Sequence, residues 1–557
     1  MAIILFLLRS KQYLAMKNIF FFTCFIFISL YTLAQNQERV EFPLDDALQG
    51  YHSYPIGKEG VVVVYRSKKN GPTNLVKLDT DFKQTKKVNI TPPKGYSFSM
   101  MTEDSSNLYF LYTPNVEFKK YTVYKIAKSN LAYTSYDGTY VKHMEAFNFQ
   151  VMGGVVYLGT VAGTSKTTVA FVTCISLPLC YIPLLFYKPQ YFPYIAAIDM
   201  NKRVAVKKDL AIAPVKRGRV EIIDMTVDES LKVVDLLFNT TVKGLAKASV
   251  RQIKDMKMEK EVPFKLSNAK EIQSAEIFSL SENQKVIIGM FKNKSTSKKA
   301  RGGSARPSPG GIFIGSLVNG KQIYANMVPF TTFKNFKISL ITPKKNKSVS
   351  DRKQRRMDKM DERFQGTIEF SFHNLLVRED ELLVFAEPYY PTYHYETTTT
   401  TTANGGTTTT TRRVFDGYRF MGAMVMAFDL EGNFKWENGF KFEYGPLSFS
   451  TANKFDFYEL EDGGIKVLYN ANNSIFSKVI YNDKVDLEKE IVKIKVEAGD
   501  KKVKAIDTKY EDTRGLDYWY DAYYIAYGEQ KIKSKEKNAN NKKRRNVFYL
   551  NRIEVEK

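Results

Sequence analysis

The strongest constraint in this sequence is a pair of apolar strands that recurs eight times. In each unit, a run rich in β-branched and aromatic residues is followed by a loop and a second such run. A turn, often carrying Asp or Asn, and a charged alternating run complete the unit. The leading runs cover residues 61–65, 108–112, 155–160, 232–238, 285–291, 381–386, 464–469 and 523–527. The runs that follow them cover 74–79, 121–127, 194–199, 248–255, 311–317, 424–429, 475–482 and 547–551. The clearest copy starts at Met424, turns at Asp429 and Gly432, and returns through Trp436 and Phe440. Asp and Gly between two alternating runs form a strong hairpin signal. Residues 75–79 before Phe82, and 195–199, repeat the pattern.

Several leading runs are preceded by a further strand candidate and a turn, as at 220–225 and 367–372, so each unit holds about four strands. One four-stranded sheet cannot bury both of its faces. A ring of such sheets buries each against its neighbours and protects the edges. The expected fold is therefore all-β, a β-propeller of seven or eight blades, with a β-sandwich and an open solenoid as alternatives. Seven stays open because the second unit is weak. The eighth unit has no fourth strand before Lys557, and a strand candidate at 38–44 lies unassigned. That N-terminal strand is expected to complete the last blade and close the ring.

The run from Asp429 through Gly432 to Trp436 resembles the blade signature of quinoprotein-type propellers. The resemblance rests on this one copy and implies the fold, not the cofactor. Quinone-dependent oxidation would need a metal-binding channel, which the sequence does not show. No cofactor and no metal are expected.

The N-terminus bears on compartment. After Met16 and Lys17, residues 19–33 are almost wholly apolar and end in Thr32-Leu33-Ala34. A positive start, an apolar core and a small residue at the end describe a secretory signal. Residues 1–34 are read as that signal, starting at Met16, and 35–557 as a single propeller domain; a membrane anchor is the alternative. Together with the Lys-, Asn- and Ile-rich make-up, this resembles exported propeller proteins of Bacteroidetes-type bacteria, and implies a periplasmic or outer-membrane-associated protein. The formal charge of +24 favours anionic partners. Export turns that preference from nucleic acid toward anionic polysaccharide or a membrane surface. Beyond the signal only Cys174 and Cys180 remain, in one apolar stretch, packed or bridged.

Four insertions interrupt the repeat. Residues 167–187 hold no charge but contain Pro178 and Pro183. The stretch reads as an apolar, helical finger that docks to membrane or to an envelope protein through Phe171, Ile175, Leu177, Leu179, Ile182, Leu184, Leu185 and Phe186. A helical hairpin packed on the ring is the alternative. Residues 292–310 read as a basic loop, 344–363 as a short basic helix, and 397–411 as a Thr-rich flexible hairpin tip.

The search for chemistry gives little. His52, His143, His373 and His394 fall at no metal-ligand spacing. Gly315 through Gln322 approaches a phosphate-binding loop but lacks its hydroxyl, and reads as a hairpin turn. Two aromatic clusters stand out. One holds Glu387, Tyr389, Tyr390 and Tyr393, the other Asp517, Tyr518, Trp519 and Tyr520. Rings beside carboxylates suit sugar binding, and two carboxylates at the right separation suit glycosidic cleavage. Ordinary strand packing explains the same residues. The reading is a non-enzymatic binding or assembly platform of the cell envelope, with a carbohydrate-binding or glycan-cleaving propeller as the alternative.

Overall fold

A computed structural model describes residues 39–44, 52–66, 71–114, 120–139, 144–163, 191–211, 218–242, 245–266, 271–292, 309–334, 368–401, 407–439, 447–448, 454–471, 474–483, 490–493, 503–505, 512–534 and 544–555. The chain is an eight-bladed β-propeller of antiparallel four-stranded blades. The eight repeats of the sequence are its eight blades. Their leading runs are the second strands and the runs that follow are the third strands. Blade 2 is complete. Its core holds Tyr109, Tyr112 and Tyr121. The first strands are His52–Pro55, Tyr96–Glu103, Met144–Met152, Gly218–Asp228, Glu271–Ser281, Glu369–Val377, Phe455–Glu459 and Asp512–Tyr520. First strands of successive blades approach one another along most of the ring.

Among the described residues the core is divided. Eight apolar clusters each fill one seam between neighbouring blades, including the seam of blades 8 and 1. The two-residue period of a strand explains this. In the second strand of blade 5, Val286, Ile288 and Met290 face blade 6, while Ile287 and Phe291 face blade 4. In blade 6, Leu382, Val384 and Ala386 face blade 5, while Leu383 and Phe385 face blade 7. Both faces of each central strand are buried, which is why those stretches read as continuous apolar runs.

The turns between third and fourth strands follow the sequence signals. Asp429 Oδ1 accepts from Asn433 N at 2.7 Å, and Gly432 sits at φ +77°. Asp79 and Asp199 accept main-chain N–H groups in the same way. Asn319 and Gly320, both at positive φ, join Pro309–Val318 to Lys321–Pro329, so the phosphate-loop-like stretch is a hairpin.

Arg39–Leu44 pairs antiparallel with Arg544–Glu554, from Arg39↔Asn551 to Leu44↔Asn546, and lies as the fourth strand of blade 8. In the Thr-rich tract, Thr397–Thr401 pairs with 407–411 where the sequence suggests only a flexible tip. Threonine is β-branched and favours extended backbone. The result is a two-stranded ribbon, Leu382–Thr401 against Thr407–Phe420, that begins inside blade 6 and runs beyond it. Among the described residues the one helical turn is Gly57–Glu59, and no helix is long and apolar enough to cross a membrane. The finger (167–187, with both cysteines), the basic helix (344–363) and most of the basic loop (293–308) lie outside the described residues, as does the N-terminal segment before Arg39.

Candidate functional site

The first strands differ from the rest of the molecule in charge. Together they carry twelve Asp and Glu against Arg219 and Arg514, in a chain of net charge +24. Six of them shift register against the second strand, at Phe98/Met100, Ala146/Asn148, Ile222/Asp224, Ile272/Ser274, Phe372/Asn374 and Thr513/Gly515. A bulge adds one residue, bends the strand and re-aims the side chains beside it. Asp224 lies at such a shift, and Glu276 and Asp517 two residues past one.

These carboxyl groups reach the next blade. Asp224 Oδ2 accepts from Ile277 N of blade 5 at 3.0 Å and from its own strand's Thr226 Oγ1 at 2.9 Å. Glu276 Oε1 accepts from Phe372 N of blade 6 at 3.2 Å. Asp456 of blade 7 accepts from Tyr518 N of blade 8 and from Phe457 N at 2.8 Å. Asp517 Oδ2 accepts from Ser53 Oγ of blade 1 at 3.3 Å. Glu387 completes the series from a second strand, its Oε2 accepting from Lys454 N ahead of blade 7 at 3.3 Å. Five consecutive seams, from 4/5 to 8/1, thus each carry a carboxyl group bonded to the following blade.

Most of these groups hold their protons tightly. Burial, then the neighbouring Asp224, pushes Glu276 up to about 8, against the opposing bond from Phe372 N. Burial pushes Asp456 up to about 6. Burial, with the charges of Asp456 and Glu103, pushes Asp517 up to about 7, although its bond from Ser53 favours the ionised form. Burial also raises Asp224. All four residues are half-buried. Near neutral pH the set mixes acids that donate with carboxylates that accept, a combination suited to a hydroxylated or cationic ligand. Among the described residues no group of three His, Cys, Asp or Glu could hold a metal ion.

The two aromatic clusters of the sequence lie in blades 6 and 8, with blade 7 between them. Glu387 is fully buried. It lies 2.7 Å from His373 Nε2 and close to the Tyr469 hydroxyl, which burial and then the Glu387 charge push well above the usual phenol range. Burial and the neighbouring Glu369 likewise raise Tyr389, whose ring meets Tyr418 edge-on at 5.2 Å. Tyr390 is half-buried on the same strand. Tyr393 pairs with Phe415 in the ribbon. Trp519 is 3% exposed, donates from Nε1 to Gly60 O at 2.7 Å and stacks on Phe82 at 5.4 Å. Its ring holds the seam of blades 8 and 1 and is covered. Tyr520 packs edge-on against it, whereas Tyr518 is 47% exposed beside Asp517.

Of the carboxylates chosen from sequence, Asp517 therefore lies in the half-buried set and Glu387 is sealed. Sequence reasoning missed Asp224, Glu276 and Asp456. Their one signal is an acid between apolar residues inside a strand candidate, as in Ala275-Glu276-Ile277 and Phe455-Asp456-Phe457.

No protein-family model matches the chain, and no curated protein matches it by sequence. Solved structures share its general form. A prolyl endopeptidase is 7% identical with a TM-score of 0.36, covering 87% of this chain and 54% of that one. The chain thus spans about half the length of that enzyme. A europium-containing methanol dehydrogenase is 9% identical with a TM-score of 0.40, covering 94% of each chain. The β-propeller domain of the Trilobed protease from Pyrococcus furiosus is 8% identical with a TM-score of 0.32, covering 83% of this chain and 99% of that one. At such identities the chain is similar to these proteins in fold class alone, and the propeller assignment stands on its own sheet topology.

Proposed function

We propose that this protein is an exported binding platform of the bacterial cell envelope that takes its ligand at the first strands of the ring. The observation that carries this reading is the segregation of charge, with acidic first strands inside a strongly basic chain. Half-buried Asp224, Glu276, Asp456 and Asp517 supply donors and acceptors on a rigid frame. The remaining strands and insertions supply the positive charge that holds the ring to anionic envelope polymers. The finger at 167–187 is the docking element for membrane or an envelope protein, and Arg39–Leu44 is the clasp of the ring. Affinity capture from solubilised envelopes tests the platform. A stoichiometric envelope partner whose capture needs residues 167–187 supports it, and capture unchanged by deleting them removes the docking role.

One observation favours glycan cleavage as a second reading. Asp456 and Asp517 stand on neighbouring first strands, and Asp456 raises Asp517. Two interacting carboxyl groups are the minimum that acid and base roles require. Release of reducing ends from envelope glycans, abolished in Asp456→Asn and Asp517→Asn, is the expected result. No release at any pH between 5 and 8 removes this reading.

A further inference from the structure

The ribbon of blade 6 is separate from the first-strand acids. Beyond Glu396↔Arg412, five consecutive cross-strand pairs are Thr against Thr, from Thr397↔Thr411 to Thr401↔Thr407. At about 3.4 Å per residue they extend the ribbon by roughly 17 Å. Among the described residues no third strand lies along this stretch. Pairing with the first strand of blade 6 ends at Tyr389, and the short strand Leu447–Ser448 meets only Tyr418 and Arg419. Among the described residues the outer edges thus carry main-chain N–H and C=O groups that another strand can pair with.

Exposed edges are ordinarily blunted by Lys, Pro or a bulge. These ten residues include no charge and no Pro, and their register runs without a shift. Thr399 and Thr409, which face each other, are both exposed.

We propose that this stretch pairs, edge to edge, with the same stretch of a second copy, forming an antiparallel four-stranded sheet about a twofold axis through the Thr397–Thr401 edge. The match of residue type favours this occupant, and charge places the contact. Two copies of a chain at +24 repel over most approaches, whereas the Thr stretch is uncharged and matches itself in residue type. Antiparallel pairing centred on Thr399 also puts the two ribbon roots at opposite ends, so Arg412 and Arg413 of one copy stay away from those of the other. The opposite edge already carries Leu447–Ser448 at its root.

Sedimentation velocity of the mature protein over a wide concentration range, at low and moderate salt, tests this. The expected result is a monomer–dimer equilibrium that tightens as salt screens the net charge. Thr399→Lys combined with Thr409→Glu keeps a favourable pair within each ribbon but sets the charge introduced at position 399 directly against its counterpart in the second copy. That variant is expected to stay monomeric with an unchanged melting temperature. Thr399→Val with Thr409→Val, which preserves strand preference, is expected to dimerise like the parent. A parent that stays monomeric throughout overturns the proposal. So does a dimer that survives the charged pair, a valine variant that stays monomeric, or open-ended growth in place of a closed dimer.

Discussion

At the scale of single residues, the carboxyl groups of the first strands both join the blades and bind protons unusually tightly. The consequence for stability has a definite sign. Glu276 has an ordinary value of 4.5 and is pushed up to about 8 by burial. The folded state thus holds this proton more tightly than the unfolded chain does. The contribution is fully present below about pH 4.5 and is lost as pH rises to about 8, with a slope of at most about 1.4 kcal/mol per pH unit. Asp517 adds the same trend up to about pH 7. Melting temperatures measured from pH 5 to pH 9 are expected to fall, and Glu276→Gln is expected to flatten the curve. An equally steep fall in Glu276→Gln would show that the slope arises elsewhere. Trp519 makes a different prediction. Its ring fills the 8/1 seam, so Trp519→Ala is expected to destabilise by about 3–5 kcal/mol in denaturant titration. An exposed ligand-stacking residue would give less than about 0.5 kcal/mol.

At the scale of elements, legibility follows burial. The second and third strands are buried on both faces, and all eight pairs could be read as apolar runs. The first strands were legible only in part, as at 220–225 and 367–372. Bulges interrupt the alternation of six of them, and acids such as Asp224 stand where a core residue would be expected. The carboxyl tethers were not legible, because the donor to Asp224 is the main-chain N–H of Ile277, 53 residues away in another blade. No local pattern encodes that distance. The ribbon was hidden for the opposite reason, since a threonine tract has strand preference but no apolar period to announce it. Turn chemistry was the most readable feature. Gly432 needs φ +77°, and a methyl group there would sit 2.3 Å from the Tyr324 ring of the preceding blade. Gly432→Ala is expected to lower stability by more than about 1 kcal/mol. A neutral result in thermal melts would count against this turn geometry.

At the scale of the whole molecule, stability is distributed over eight seams, and each blade depends on both neighbours. The 8/1 seam joins the two ends of the described chain through Phe42, Leu44, Val63, Trp519 and Phe548. Removing residues up to Leu44 exposes the edge of Arg544–Glu554 and uncovers this cluster. Burying Phe42 and Leu44 stabilises by about 3–6 kcal/mol in all, so the truncated protein is expected to melt well below the parent. A peptide covering 38–46, added in trans, is expected to restore it. The proposed ligand site is the row of half-buried carboxyl groups on successive first strands. Its most direct test is to probe the mature protein and the Glu276→Gln, Asp517→Asn double variant, side by side, against envelope extracts, neutral glycans and polycations. The expected result is a ligand retained by the parent and lost by a variant that is at least as stable. The same ligands held equally by both proteins would contradict it.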